Sequence, residues 1–476
     1  MQGDRGTDGQ ARLGLEIMEE QIRLIEAAHP GVTFTGADGT SVRRPGEPFG
    51  FIYREGVVLA RHDLAEQVQH ALRARGHRAE LTERRRLPST SDPVARGRIG
   101  RDADLDEELG QRAPVFVELP DARPGTDIPE LCRAVHRELG VDESGYPPLA
   151  PHHYFYMTPV RILCPATEPE QVDEDDPTYP AAADDKAGSD TAVAVLDTGF
   201  IGAAAEYCSW LSDVVDFDPD PVDAFDVTTM QDRPDHFIDP YAGHGTFITG
   251  IIKRIAPAAV MQVRRLDIDL RAAFTDWPEY SADLVDEMHI ADHIRAALWS
   301  GQQVISLSAG GPTLDGHPPL SFRGLHSLFA DFGAVLVAAA GNEGSAEPFW
   351  PAALPWVTGV GALDASQAAR ASYSNFGVNA DVYAPGTALV NAYARGRYRC
   401  VQPPNAGTVR HFRGRARWSG TSFATPVVAG LVAARMAAHD ETAPQALESL
   451  LACAATSHDL PGTGPTLAPE YPDLGV

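Results

Sequence analysis

The chain has 476 residues, enough for two domains or for one large domain with additions. Hydrophobic residues make up 43% of it and charged residues 22%, which is the balance of a globular protein. The formal net charge of −27 argues against nucleic acid and anionic membranes as partners, because both need a basic surface. We interpret the charge either as a solubilising surface or as attraction for a basic substrate.

The N-terminal sequence and the cysteine usage predict a cytoplasmic protein. Residues 1–13 are polar and Gly-rich and lack the basic-then-apolar pattern of a secretory signal. No apolar run approaches the ~20 residues that a membrane span needs. The five cysteines are scattered without CxxC spacing, which favours reduced thiols.

The first third of the chain divides into three segments. Residues 1–48 form an N-terminal extension, in which apolar residues at roughly helical spacing predict a helix over residues 13–29. Residues 49–160 alternate strand-like and helix-like runs in the order β-α-β-β-α-β, from GFIYREGVVLA to HHYFYMTP, which predicts a small ferredoxin-like domain. Residues 161–190 are acidic and rich in Pro and Ala, and we predict an exposed linker.

Residues 191–476 show a different pattern. The short apolar runs TAVAVL, MQVRRL, QVISLS, AVLVAAA and WVTGVGAL alternate with predicted helices, among them one opening at His244, one over 283–300 and one over 320–332. Strands that are apolar throughout and separated by helices predict a parallel sheet covered on both faces. Residues 401–417 are polar and Arg-containing and predict an inserted loop or hairpin. The predicted fold class is α/β, a mostly parallel sheet between helices, preceded by a small α+β domain.

Three residue types that can act together stand at the predicted edge of this sheet. Asp197 directly follows the run AVAVL, and His244 and Ser422 each lie where a Gly-containing turn opens a helix. Ligands of open α/β sheets bind beyond the carboxyl ends of the strands. A serine hydroxyl needs a neutral imidazole to take its proton, and the imidazole needs a carboxylate to fix its tautomer. We therefore predict Ser422 as nucleophile, His244 as general base and Asp197 as orienting carboxylate.

An oxyanion formed at this site would need donors placed in advance. The Asn342 side chain follows the run AVLVAAA, and a backbone N–H lies at the start of the Ser422 helix. Both are suited to that role.

These motifs together resemble the subtilisin family of serine proteases. The resemblance lies in AVLDTG, GHGTFITGII, VISLSAGG, AAAGNEG, SNFGVNADVYAPG and SGTSFATPVVAG, and it covers roughly residues 190–455 in the family's Asp, His, Ser order. It implies a three-layer fold, a polypeptide substrate and hydrolysis through an acyl-enzyme. It also implies no cofactor for catalysis, although structural Ca²⁺, common in the family, cannot be read from these loops. By position it assigns the oxyanion side chain to Asn342 and one substrate-pairing edge strand to Ser308, Ala309, Gly310 and Gly311.

The sequence departs from the family pattern in places that bear on specificity. Phe247 stands where many members carry a second His, and we interpret it as a packing change. The insertion at 401–417 is expected to reshape the primed side of the cleft. Glu343 would lie near the mouth of the S1 pocket and favour basic P1 residues, with a solvated surface Glu as the alternative.

The resemblance further implies that residues 49–160 are propeptide-like. We expect this domain to pack against the protease, to direct HHYFYMTP toward the active site, and to act as an intramolecular inhibitor or chaperone. The alternative is an accessory domain without an inhibitory role.

Three other functional interpretations are open to this sequence. An aspartic protease needs two DTG loops that share a proton, and the chain has one. A metal site at His289 and His293, with Asp292 beside them, lacks an evident third ligand. The helix that carries these residues has an apolar face, which is sufficient to interpret it as a packing helix. The alternative from another class is a catalytically inactive, protease-like scaffold that binds peptides.

Overall fold

The structure is a computed structural model that describes most of the chain. The described residues are 31–39, 43–47, 49–82, 113–122, 126–156, 167–220, 237–238, 242–266, 284–400 and 404–476, with Glu19, Ile22, Glu26 and Gln402.

The N-terminal part contains an antiparallel sheet with two helices. Its elements are β1 (Val32–Gly36), β2 (Phe49–Ala60), α1 (Ala65–Ala74), β3 (Glu80–Thr82), β4 (Val115–Glu118), α2 (Ile128–Leu139) and β5 (Leu149–Tyr156). The strands lie in the order β5-β2-β4-β3, and β1 pairs with β2. The element order from β2 to β5 is the β-α-β-β-α-β pattern that the sequence predicts. Both helices bury an apolar face in one core with this sheet, through residues such as Val68, Leu72, Leu131 and Val135.

The segment before residue 49 differs from the predicted helical extension. Residues 32–36 form β1, antiparallel to β2, and the Phe34 ring packs edge-on against Phe49 at 5.2 Å. This five-residue strand forms because it pairs with β2. The periodicity of its own residues does not indicate that pairing. The predicted helix over 13–29 lies outside the described residues apart from Glu19, Ile22 and Glu26.

The C-terminal part contains the remaining elements. Its strands are β6 (Ala192–Asp197), β7 (Asp216–Phe217), β8 (Phe237–Ile238), β9 (Val260–Arg265), β10 (Leu284–Asp286), β11 (Val304–Leu307), β12 (Val335–Ala339), β13 (Thr358–Leu363), β14 (Val382–Pro385), β15 (Leu389–Arg399), β16 (Val409–Trp418), β17 (Asp459–Leu460) and β18 (Gly464–Pro465). Its helices are α3 (Ala204–Tyr207), α4 (His244–Ile255), α5 (Glu287–Trp299), α6 (Leu325–Phe332), α7 (Thr421–His439) and α8 (Ala443–Ser457).

Seven of these strands form a central parallel sheet. Their order is β14-β13-β12-β11-β6-β9-β7, and every neighbouring pair is parallel. Along β6, Val193 and Val195 face one apolar core, and Ala194 and Leu196 face the other. The first core also takes residues of α4, α7 and α8, and the second takes residues of α5 and α6. Helices therefore cover both faces, which confirms the predicted three-layer α/β fold.

Helix α7 lies inside this architecture. It is 19 residues long and apolar enough, by length and composition, to cross a membrane, but 83% of its most apolar window is buried in the protein. Pro426 is its sixth residue, beyond the first turn, so the helix lacks the backbone hydrogen bond that residue 426 would donate to the Ser422 carbonyl. The apolar character of α7 is accounted for by its burial between the sheet and its neighbouring helices.

Two predicted helices start later than expected. Residues 284–286 form β10 and not the first turn of the helix predicted over 283–300, because they pair antiparallel with Tyr154–Tyr156 of β5. Asp286 then caps α5 by accepting from the backbone N–H groups of Met288 and His289. In the helix predicted over 320–332, residues 320–322 form a separate 3₁₀ turn before α6.

The acidic segment is less exposed than a linker would be. The backbones of Glu170 and Arg417 exchange two hydrogen bonds of 2.9 Å, which joins the segment to β16. Glu168 is buried, and its carboxylate accepts from the Tyr398 hydroxyl at 3.1 Å. The acidic segment pairs with a long hairpin formed by strands β15 and β16. Much of the polar insertion predicted over 401–417 therefore belongs to the regular antiparallel strand β16. The arginines of β16 provide the complementary charge for this acidic segment.

Candidate active site

The central sheet has a topological switch point next to β6. The strand order runs from β6 to β9 on one side and from β6 to β11 on the other. Asp197 is the last residue of β6, and Ser308 directly follows β11. A crevice at the carboxyl ends of two such strands is where open α/β sheets bind their ligands.

Asp197 and His244 are in direct contact at this crevice. The Nδ1 atom of His244 lies 2.7 Å from Oδ1 of Asp197, and the same oxygen accepts from the backbone N–H of Thr198 at 2.8 Å. Asp197 is fully buried and His244 nearly so. Because an ionised carboxylate can only accept, Nδ1 carries the ring proton and Nε2 is the nitrogen with a lone pair. The arrangement fixes the tautomer that a general base needs.

Aromatic rings surround the imidazole of His244. The ring of Trp418 lies 5.4 Å away edge-on, and that of Phe423 lies 5.0 Å away. Phe247, one turn along α4 from His244, packs on Phe423 at 4.6 Å and on Trp418 at 6.0 Å. Phe247 is fully buried in this cluster, as expected for a packing residue. Sequence reasoning did not single out Trp418 and Phe423, although both flank the SGTS segment.

Ser422 is the second residue of α7 and is almost completely buried. Its carbonyl oxygen accepts a hydrogen bond of 3.2 Å from the Ser308 hydroxyl, which ties the start of α7 to the end of β11. A backbone N–H in the first turn of a helix has no acceptor within that helix. The start of α7 therefore brings a backbone N–H, that of Ser422, to the switch point beside the Ser422 side chain.

The amide of Asn342 is held against the start of α7. Its Oδ1 atom accepts from the backbone N–H of Thr421 at 2.8 Å and from the Thr421 hydroxyl at 3.0 Å. Two donors on one atom assign that atom as the oxygen, so Nδ2 is the donor end of the side chain. The preceding Gly341 has a φ of 95°, and a Cβ there would lie 2.7 Å from Oε2 of Glu343. A glycine is required at this turn.

The segment from Ser308 to Gly311 has both of its edges occupied. On one edge the backbones of Gly311 and Trp350 exchange hydrogen bonds of 2.9 and 3.0 Å. On the other edge Tyr156, the last residue of β5, donates to the Gly310 carbonyl at 3.0 Å and accepts from the Gly310 N–H at 3.1 Å. The end of β5 also pairs with β10, so the N-terminal part of the chain lies as a strand between β10 and Gly310.

The Tyr156 side chain reaches the position assigned to the S1 mouth. Its hydroxyl donates to Oε1 of Glu343 at 2.9 Å, and the Asn375 amide donates to Oε2 at 2.8 Å. Glu343 is therefore half-buried and hydrogen-bonded through both oxygens, which contradicts the solvated surface Glu. The ring of Phe349 lies 5.9 Å from that of Tyr156 and also contacts Gly341. Tyr156 and Phe349 had not been singled out from sequence.

A buried, hydrogen-bonded carboxylate joins β5 to α5. One oxygen of Glu287 accepts from the backbone N–H and Nδ1 of His153, at 3.1 and 2.8 Å, and the other from the N–H and hydroxyl of Ser321. The Leu314 N–H donates to Nε2 of His153, which fixes this ring as the Nδ1–H tautomer. Burial raises the pKa of Glu287, but the hydrogen bonds that it accepts from His153 hold that pKa below the usual range. The contact thus favours an ionised, fully paired carboxylate.

The histidine pair considered as a metal site lies on α5. The Nε2 atoms of His289 and His293 are 3.0 Å apart, a hydrogen bond between two rings. Burial, and then the neighbouring His289, lower the pKa of His293 to about 3. Among the described residues no third side chain is placed to share an ion with the pair. Packing and this hydrogen bond account for both histidines.

A sequence comparison decides the family. The sequence model described as the subtilase family matches residues 188–468, more than half of the chain. This chain belongs to the subtilase family.

Individual relatives agree with that membership. The chain is 32% identical over 251 residues to a thermophilic serine proteinase of Bacillus sp. strain AK1, covering 52% of each sequence. It is 28% identical over 217 residues to subtilisin NAT of Bacillus subtilis subsp. natto, covering 42% of this chain and 48% of that one. This subtilase spans about half the length of the curated relatives that it matches.

The fold extends the likeness beyond the matched segment. Fervidolysin of Fervidobacterium pennivorans, described as a keratinolytic enzyme related to subtilisin, has a solved structure that matches 88% of this subtilase with a TM-score of 0.52. The match covers 60% of fervidolysin at 17% identity, so it concerns the fold alone.

Proposed function

We propose that this subtilase is a serine endopeptidase that works through Asp197, His244 and Ser422. The observation that carries the proposal is the hydrogen bond between Asp197 and His244, at the switch point near the start of α7, whose second residue is Ser422. Family membership supports the reaction class, since one relative reported above is a serine proteinase by name.

Each group has a role in the proposed reaction. The Ser422 hydroxyl attacks the scissile carbonyl while Nε2 of His244 takes its proton, and Asp197 stabilises the imidazolium. The Asn342 amide and a backbone N–H at the start of α7 donate to the oxyanion. His244 then returns the proton to the leaving amine, and an ester to Ser422 remains. Water, activated by His244, hydrolyses that acyl-enzyme.

The substrate in this proposal is an extended polypeptide that pairs with Ser308–Gly311. The backbone of Gly310 supports this proposal. Its N–H and C=O already exchange hydrogen bonds with Tyr156, which belongs to an extended strand. A free backbone edge accepts any extended chain, so main-chain pairing gives affinity and side-chain pockets give specificity.

The test is covalent labelling by a fluorophosphonate probe, which reacts with an activated serine. We expect labelling of the full chain at Ser422, none in Ser422→Ala, and unchanged labelling in Ser366→Ala, an exposed serine in a surface loop. If the folded chain stayed unlabelled, and the Tyr156 variants described below did too, the inactive peptide-binding scaffold would be the better interpretation.

We further propose that the N-terminal part restrains the protease within the same chain. Tyr156 holds the substrate edge at Gly310, and Phe155 is fully buried in the core that contains α5. The buried contact between His153 and Glu287 fastens the same strand. A substrate must displace the end of β5 before it can pair with Gly310.

Replacing Tyr156 with proline should therefore activate the full-length enzyme. The change removes the N–H that donates to Gly310, the ring against Phe349 and the hydroxyl on Glu343. Two hydrogen bonds at about 1 kcal/mol each and a buried aromatic ring at about 2 kcal/mol amount to about 4 kcal/mol, so kcat/KM on a fluorogenic peptide should rise by roughly 10³-fold. Tyr156→Phe, which loses the hydroxyl alone, should give a rise of roughly tenfold or less.

The matched control is Tyr154→Phe, two residues earlier on the same strand, and it should leave kcat/KM unchanged. Unfolding curves identify any variant that fails to fold, and Tyr156→Phe keeps the test open if the proline variant does so. Equal activity of well-folded Tyr156→Pro and wild type would favour the accessory-domain alternative.

A further inference from the structure

Three metal-ligand side chains that the proposed reaction does not use meet near the C-terminal end of α8. They are Cys453 on α8, His458 directly after it, and Asp473 on the segment that returns past the helix. Nε2 of His458 lies 2.7 Å from Oδ1 of Asp473, and Sγ of Cys453 lies 3.7 Å from Oδ2. All three ligand atoms lie within 4.8 Å of one another, the only such group among the described residues.

We propose that Cys453, His458 and Asp473 form a binding site for a thiolate-binding divalent ion, best suited to Zn²⁺. Zinc takes sulfur at about 2.3 Å, imidazole nitrogen at about 2.0–2.1 Å and carboxylate oxygen at about 2.0–2.2 Å. Around a tetrahedral ion such ligands stand about 3.3–3.6 Å apart. The observed separations therefore need adjustments of about 1 Å, which side-chain rotation supplies.

The backbone on both sides of the site is already fixed. The His458 ring stacks on Tyr471 with centroids 3.9 Å apart and planes 13° from parallel. The His458 carbonyl accepts from the Thr466 hydroxyl at 2.8 Å. Leu474, next to Asp473, is fully buried, and its carbonyl accepts from Arg435 at 2.7 Å. The ligands are thus held by contacts of their own, and the ordering cost of binding an ion is small.

The ligand types select among metals. Ca²⁺ and Mg²⁺ take oxygen ligands, so a sulfur and an imidazole nitrogen disfavour them. Cys453 and His458 are half-buried and Asp473 is exposed, which leaves the fourth position of the ion to water. An ion here would link α8 to the returning segment and stabilise the folded chain, since it binds that state better than the unfolded one.

The experiment uses the full-length chain carrying Ser422→Ala, so that its outcome is independent of proteolytic activity. The protein is freed of metal and titrated with Co²⁺, whose thiolate complexes show a charge-transfer band in the near ultraviolet. We expect one ion per chain with that band, and its displacement by Zn²⁺. Cys453→Ser should abolish the band, Asp473→Asn should weaken binding about tenfold or more, and His289→Gln should change neither.

Thermal unfolding gives a second readout. Zn²⁺ at about 100 times its Kd should raise the Tm of the parent by roughly 5 °C and leave that of Cys453→Ser unchanged. His458→Gln repeats the test if the serine variant does not fold. Absence of the band in the parent, or a band that survives Cys453→Ser, would overturn the proposal, because the ion would then be bound elsewhere or not through this thiol.

Discussion

Replacing Ser422 with alanine should lower kcat for peptide hydrolysis by roughly 10⁶-fold, the scale on which the serine–histidine pair contributes in subtilisin. The hydroxyl is the only group that forms the acyl-enzyme in the proposed reaction. Its neighbours stay in place, because Ser308 bonds to the Ser422 carbonyl and not to its side chain. KM should change little, since the substrate pairs with Gly310.

The measurement is single-turnover and steady-state cleavage of a fluorogenic peptide, in the background of Tyr156→Phe so that the site is accessible. Adding His244→Ala to Ser422→Ala should cause almost no further loss, because the two residues act as one unit. Ser366→Ala serves as the control and should behave as wild type. Activity of Ser422→Ala within tenfold of wild type would show that another group is the nucleophile.

Replacing Asn342 with alanine should lower kcat by roughly 10²–10³-fold, about 3–4 kcal/mol, which is the scale of one oxyanion donor in subtilisin. The amide donates to charge that exists only in the transition state, so KM should remain close to that of wild type. The measurement is steady-state kinetics with the same peptide.

The amide of Asn342 also accepts two hydrogen bonds from Thr421, so alanine removes a positional role together with the donor. Asn342→Asp separates the two, because it keeps an oxygen for Thr421 and lacks the N–H donors. We expect the aspartate variant to be at least as impaired as the alanine variant. A nearly active aspartate variant would show that Asn342 positions α7 and does not bind the oxyanion.

The pairing of Tyr156 with Gly310 bears on how such an enzyme is controlled. The restraint that we propose would consist largely of main-chain hydrogen bonds, reinforced by one hydroxyl and one ring. A substrate peptide can form the same main-chain hydrogen bonds to this edge. A peptide whose side chains fit the pockets better than those of β5 therefore competes with β5 for the edge. Restraint of this kind depends on how tightly β5 is held, and the buried pair of His153 and Glu287 is one of the contacts that hold it, together with Phe155 and the pairing with β2 and β10.

The sequence by itself determined the layers of the fold and predicted the chemistry. Asp197, His244 and Ser422 each follow a local signal, an apolar strand end or a Gly-containing turn before a helix, so their placement depends on a few adjacent residues. The apolar runs of β6, β11 and β12 indicate strands buried on both faces, which requires helices on both sides. The fold prediction is confirmed because it depends on periodicity that is encoded locally, and the three site residues remain a prediction that depends on local turns.

Only the tertiary structure decided which segments meet. Strand β10 and strand β1 exist because β5 and β2 pair with them, and the acidic segment is ordered because β16 receives it. The contact of Tyr156 with Gly310 joins residues 154 positions apart, and Cys453 meets Asp473 only because the chain returns past α8. Such contacts arise from long-range pairing and burial, which no window of neighbouring residues contains.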